Sequence, residues 1–97
     1  MGLLENLLLP KKQDILAVAR AHGARNIRVF GSVARGTESI ASDIDLLVEM
    51  EAERGLLERA ALKQDLEALL GRSIDLVTDR TLSRYLRETI LAEAKPL

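Results

Sequence analysis

The sequence predicts an α/β fold, a small mixed β-sheet packed with helices. Three observations lead there. Apolar residues recur at helical spacing in "GLLERAALKQDLEALLG", at Leu62, Leu66, Leu69 and Leu70. Short β-prone runs, "NIRVF", "DIDLLVEM" and "SIDLV", alternate with such segments. The stretch between the second and third runs is long enough for a crossover helix, so those two strands are expected to be parallel neighbours.

The elements follow in order. Leu7 to Leu9 is read as a short helical turn on the core. "PKKQDILAVARAH", Pro10 to His22, suits a helix, with proline tolerated at the first position and Gly23 as a C-terminal cap. Asn26 to Phe30 reads as the first strand. Gly31 to Ser42 reads as a turn, with one helical turn around Val33 to Arg35. Asp43 to Met50 is the second strand, joined tightly enough to the first for antiparallel pairing. A helix ending at Gly71 follows, then a third strand from Ser73 to Val77. In the last helix, "TLSRYLRETILAEA", Thr81 is the expected N-cap, and Leu82, Leu86 and Ile90 share one face.

Bulk properties narrow the function. A chain of 97 residues suits one domain, 1–97, with one modest core. With 47% hydrophobic and 30% charged residues, it is expected to fold. A net charge of -1 gives no broad footprint for nucleic acid. The absence of cysteine excludes disulfides and thiolate metal sites, and a single histidine, His22, excludes a poly-histidine zinc site. A metal would have to be held by carboxylates, which favours Mg²⁺, Mn²⁺ or Ca²⁺. No apolar run is long enough to span a bilayer, and "MGLLENLLLPKK" lacks the basic leader of a signal peptide. The expected location is the cytoplasm.

Two aspartates sit oddly in the second strand. Side chains alternate along a strand, so Asp43, Asp45, Leu47 and Glu49 share one face, and Ile44, Leu46, Val48 and Met50 the other. If Ile74 and Leu76 face the same core, Asp75 joins the face of Asp43 and Asp45. Two like charges about 4 Å apart repel by about 4 kcal/mol at an effective dielectric near 20. A divalent cation reverses that sign, and Mg²⁺ keeps coordination positions open for phosphate oxygens. Residues i and i+2 lie about 6.6 Å apart along a strand, so one D-x-D pair can reach two ions. Taken alone, the D-x-D also fits a half-buried strand with a solvated outer face.

The turn upstream adds a second feature. Gly31-Ser32 directly follows a strand. Glycine permits close backbone approach, successive amides form a concavity for anionic oxygens, and Ser32 adds a hydroxyl, with Arg35 nearby. Alone, this too fits a plain turn. Arg28 lies on the face of Phe30 and is read as a surface residue, as is Glu49. His22 is read as favourable charge at a helix end, and Tyr85 as the edge of the core.

Together, "GSVARGTESIASDIDLLV" and Asp75 resemble the signature of the DNA polymerase β-like nucleotidyltransferase superfamily: Gly-Ser, a spacer, D-x-D entering a strand, and a later acidic residue. The size and the form "FGSVARG…SDIDLLV" are most similar to the minimal nucleotidyltransferases, many of them antitoxins paired with HEPN-domain toxins. The resemblance runs from about Ile27 to Val77. It implies a polymerase β palm-like core in which Gly31 and Ser32 bind the triphosphate. Asp43, Asp45 and Asp75 are the implied catalytic and metal-binding residues, holding two Mg²⁺ ions, with Mn²⁺ as a substitute. It also implies ATP as the donor and a tyrosine hydroxyl on a HEPN toxin as the acceptor. The catalytic core is expected to use most of the chain, so much of the acceptor site would come from a partner. Self-association through the N-terminal segment or the last helix also fits. Two other readings stay open: an idle module that blocks a toxin by contact, and an aminoglycoside-type nucleotidyltransferase.

Overall fold

The computed structural model describes residues 2–78 and 84–97, except for the side chains of Arg84 and Tyr85. The expected readings of Thr81 as an N-cap, Leu82 on the face of Leu86 and Ile90, and Tyr85 at the core edge lie outside the described residues and side chains. The order is a π-helical turn (Leu4–Leu8), α1 (Lys12–Ala21), β1 (Ala24–Phe30), α2 (Gly31–Arg35), β2 (Ile44–Met50), α3 (Leu56–Leu70), β3 (Ile74–Thr78), α4 (Arg84–Glu93) and β4 (Lys95–Pro96). The four strands form one mixed sheet in the order β3-β2-β1-β4. This is the expected α/β class.

Helix boundaries follow local chemistry. In α3, Leu62, Leu66 and Leu70 recur every fourth position and are buried as one stripe. The helix stops at Gly71, whose φ of 68° is the left-handed conformation that glycine adopts without penalty. Its N–H donates to the Glu67 carbonyl at 2.8 Å. In α1, Ile15 and Ala19 are the buried positions, one turn apart. The π-helical turn before it buries Leu8 completely. At the end of α1, His22 Nε2 meets Asp65 Oδ2 of α3 at 2.6 Å, and Nδ1 lies 3.4 Å from Glu58. The histidine therefore ties two helices together beyond its place at a helix end.

The sheet departs from expectation at its ends. β1 begins at Ala24, two residues early, and carries an irregularity between Arg25 and Arg28 where Asn26 has φ 55°. Asparagine is among the residues that tolerate this conformation, and a bulge locally sharpens strand twist. Asn26 also hydrogen-bonds Glu49 across the pair, so Glu49 has a partner. β2 begins at Ile44, which leaves Asp43 just outside the strand. β4 was not anticipated, because two residues carry no periodicity; it pairs antiparallel with Arg28 and Val29.

α1 and α3 pack on the sheet and on each other. Ile44, Leu46 and Val48 of β2, with Ile74 of β3, face that core and are at most 2% exposed. The expected face of α4 is only partly realised: Leu86 is 56% exposed, while Ile90 is half-buried. No helix among the described residues is long and apolar enough to cross a membrane.

Burying a leucine of α3 stabilises the fold by about 1.5–3 kcal/mol. Leu66, fully buried in the core, gives a direct test. Leu66→Ala is expected to lower stability by about 2–5 kcal/mol, read as a fall in the urea midpoint with little change in slope.

Candidate active site

The sheet register assembles the site. β1 runs antiparallel to β2, with Phe30 opposite Asp45. β3 runs parallel to β2, with Asp75 opposite Asp45. The end of β1 therefore meets the starts of β2 and β3 at one end of the sheet. Adjacent strands are about 4.8 Å apart, so Asp45 and Asp75 are side-by-side neighbours. In β3, Ile74 and Leu76 are buried while Asp75, like Ser73 just before the strand, is exposed. The alternation thus puts Asp75 on the face away from the helical core, as the sequence predicts.

Asp45 is half-buried between its neighbours. Its pKa is pushed up from 3.8 to about 6. Partial burial is the largest cause, followed by the negative charges of Asp75 and Asp43 and a hydrogen bond with Asp75; Arg35 opposes the shift. A carboxyl pair that cannot comfortably carry two charges tends to share one proton. Asp43 is exposed and sits before the strand, so it is not held by the ladder.

The Gly-Ser turn has a different reason from the one expected. Gly31 has φ 73°, and a Cβ there would overlap Asp45 Oδ2 and stand 3.0 Å from its Cγ. Glycine is required because the Asp45 carboxylate lies against the backbone. The Gly31 N–H is not free for an anion: it donates to Glu93 Oε1 at 2.9 Å. β4 explains this: it begins only at Lys95, opposite Val29, so beyond that point a carboxylate from the end of α4 takes over as acceptor. The remaining cradle is the Ser32 hydroxyl and the first-turn amides of α2, which have no intrahelical acceptor and no side-chain cap. Arg35 Nη1 also reaches Glu93, at 3.0 and 3.2 Å from its two oxygens.

Among the described residues, three or more carboxylate or imidazole groups are nowhere gathered into a ready-made metal cage. The donor chemistry nevertheless fits a hard divalent cation. The oxygens are all carboxylate, and the raised pKa of Asp45 marks where positive charge is missing. Mg²⁺ is usually bound through one or two carboxylates plus substrate phosphates, and the Asp45–Asp75 pair offers that much.

Sequence reasoning singled out Asp43, Asp45, Asp75, Gly31 and Ser32, and the register brings Asp45, Asp75 and Gly31 together. It missed Glu93 and Arg72. Arg72 Nη2 donates to the Ile40 and Ser42 carbonyls at 3.0 and 2.9 Å. Both residues act across long sequence distances, and neither pattern nor composition marks them.

Residues 13–97 match the family model of the nucleotidyltransferase domain. Protein adenylyltransferase MntA from Thermococcus cleftensis is 38% identical over 90 residues, covering 93% of this chain and 88% of that protein. A structure described as a candidate minimal nucleotidyltransferase superposes with a TM-score of 0.86 at 47% identity, covering 100% of this chain and 97% of the other. A toxin–antitoxin complex with AMP-PNP superposes with a TM-score of 0.75 at 29% identity, covering 88% of this chain and 70% of that one.

The Asp45 shift has a consequence for stability without metal. The folded chain keeps this proton to about pH 6, whereas an unfolded one loses it near 3.8. The folded state therefore binds more protons in between, and this group's contribution to stability falls as pH rises through that window. In EDTA, the melting temperature of Asp45→Asn relative to wild type is expected to rise between pH 4 and pH 7. Saturating Mg²⁺ is expected to reduce that difference.

Proposed function

The chain belongs to the nucleotidyltransferase domain family, and from that premise we propose that it moves AMP from ATP to a hydroxyl on a partner protein. The observation that carries this reading is the half-buried Asp45, paired with Asp75 and pressed against the Gly31 backbone. Such an arrangement is unfavourable when empty and favourable around a cation.

Asp43, Asp45 and Asp75 are the proposed metal-binding and catalytic residues, and Gly31 and Ser32 the proposed triphosphate site. Ser32 donates its hydroxyl and the start of α2 its amides, while Gly31 provides the gap that lets Asp45 and the phosphates share one corner. Bound divalent ions, Mg²⁺ in the first instance, would neutralise the phosphate charge. Asp75 is assigned the role of accepting the proton of the attacking hydroxyl. That oxygen bonds to the α-phosphorus, the α–β phosphoanhydride bond breaks, and pyrophosphate leaves. Positioning and charge neutralisation carry the rate, as phosphoryl chemistry requires.

The acceptor assignment is supported by relatives. MntA is a protein adenylyltransferase, and one structural neighbour is a toxin–antitoxin complex with AMP-PNP. These support ATP as donor and antitoxin as the cellular role; the resemblance of the motifs adds a tyrosine hydroxyl on a HEPN toxin as the assigned acceptor, and we assign the activity to one domain spanning 1–97 in the cytoplasm.

Incubation with α-labelled ATP, Mg²⁺ and the HEPN partner is expected to label the partner and release pyrophosphate. Asp43→Asn/Asp45→Asn is expected to slow labelling by about 100-fold or more. Equal labelling by that variant would remove the catalytic role. Neutralisation of the toxin by the same variant in cells would instead favour blocking by contact.

A further inference from the structure

Of the three carboxylates, Asp45 and Asp75 are fixed by the sheet, but Asp43 precedes β2 and has no place in the ladder. Its loop carries Ile40 with its side chain 96% exposed, so apolar packing of that residue does not hold it. Polar contacts do. Arg72 stands in the turn between α3 and β3, and its Nη2 donates at once to the Ile40 carbonyl at 3.0 Å and the Ser42 carbonyl at 2.9 Å. The Ser42 carbonyl belongs to the peptide that carries the Asp43 nitrogen. On the other side of Asp43, the Ile44 N–H donates to the Ser73 carbonyl at 3.0 Å. The peptides on both sides of Asp43 are thus tied to the Arg72–Ser73 turn, two residues ahead of Asp75.

The pose of Arg72 has a cost that a purely superficial arginine would avoid. Its Nε is buried without a hydrogen-bond partner, and a buried unpaired donor is unfavourable. An arginine extended into water would satisfy all five N–H groups. The loop is also anchored upstream, where Glu38 Oε1 accepts the Leu3 N–H at 2.6 Å. That hydrogen bond holds the Glu38 carboxyl below its usual range. With Glu38 fixing one end, Arg72 sets where the other end delivers Asp43.

We propose that Arg72 is a positioning residue for Asp43, clamping the loop so that this carboxylate stands beside Asp45 when a divalent cation and a triphosphate bind. The proposal rests on the reading above, in which Asp43 is a metal ligand. Arg72 acts through backbone carbonyls and does not itself touch the ion. A guanidinium suits this task because the two N–H groups of Nη2 lie in the guanidinium plane and point at two acceptors in fixed directions, which a freely rotating lysine ammonium does less well.

Two measurements on the full chain test it. In hydrogen exchange without metal, Arg72→Ala is expected to speed exchange at residues 40–44 while Leu46 to Val48 stay protected. In Mn²⁺ titrations followed by electron paramagnetic resonance with AMP-PNP present, Arg72→Ala is expected to weaken Mn²⁺ binding by about 10-fold, and Arg72→Lys by less. In the Asp43→Asn background, Arg72→Ala is expected to add no further loss. Unchanged exchange at residues 40–44 would overturn the proposal, as would an equal extra loss in that background. Failure of the wild type to bind Mn²⁺ would instead sink the metal reading of Asp43, while the exchange result would still decide whether Arg72 holds the loop.

Discussion

The closeness of Asp45 and Asp75 is the constraint on which the rest depends. Parallel pairing of β2 and β3 puts the two carboxylates opposite each other, and neither can move away without breaking the ladder. Burial and mutual repulsion together hold a proton on Asp45 well above its ordinary range. The fold can carry this because the other face of the same strands is a tight apolar core, with Ile44, Leu46 and Val48 fully buried. Hydrophobic burial on one face thus holds an electrostatically unfavourable pair in register on the other.

The surroundings follow from that pair. Gly31 must lack a side chain because Asp45 occupies the space a Cβ would need. Glu93, from the end of α4, accepts the Gly31 N–H and pairs with Arg35, so it ties the C-terminal segment to the turn. Arg72 does the equivalent for the loop that leads to Asp43. The two segments differ in how they are held: Asp45 and Asp75 stand in the sheet ladder, while the loop that ends at Asp43 is held by Arg72.

Much of this was legible in the sequence, for identifiable reasons. The period-2 alternation of "DIDLLVEM" and "SIDLV" assigned the faces, and the length of the intervening segment made β2 and β3 parallel. Those two facts bring Asp45 and Asp75 together. The spacing of Gly-Ser and D-x-D then marked a candidate site where either feature alone read as a plain turn or a solvated strand. What could not be read were contacts formed by single side chains across the fold. Glu93 looks like any polar residue on a helix, yet it bonds Gly31, 62 positions away. Arg72 looks like a charge after a helix cap. Asp43 reads as a strand residue by pattern, but the ladder starts one residue later. Gly31 was singled out for close approach to a ligand, but in the fold its neighbour is the Asp45 carboxylate, and its amide donates to Glu93.

The most direct test of this account is the titration of the Asp45 carboxyl carbon by NMR, in metal-free protein. The account predicts a pKa of about 6 in the wild type, and a value moved back towards the ordinary range in Asp75→Asn, where burial remains but one negative neighbour is gone. A wild-type Asp45 that titrates near 4, or one unaffected by Asp75→Asn, would contradict the claim that these two carboxylates are forced together.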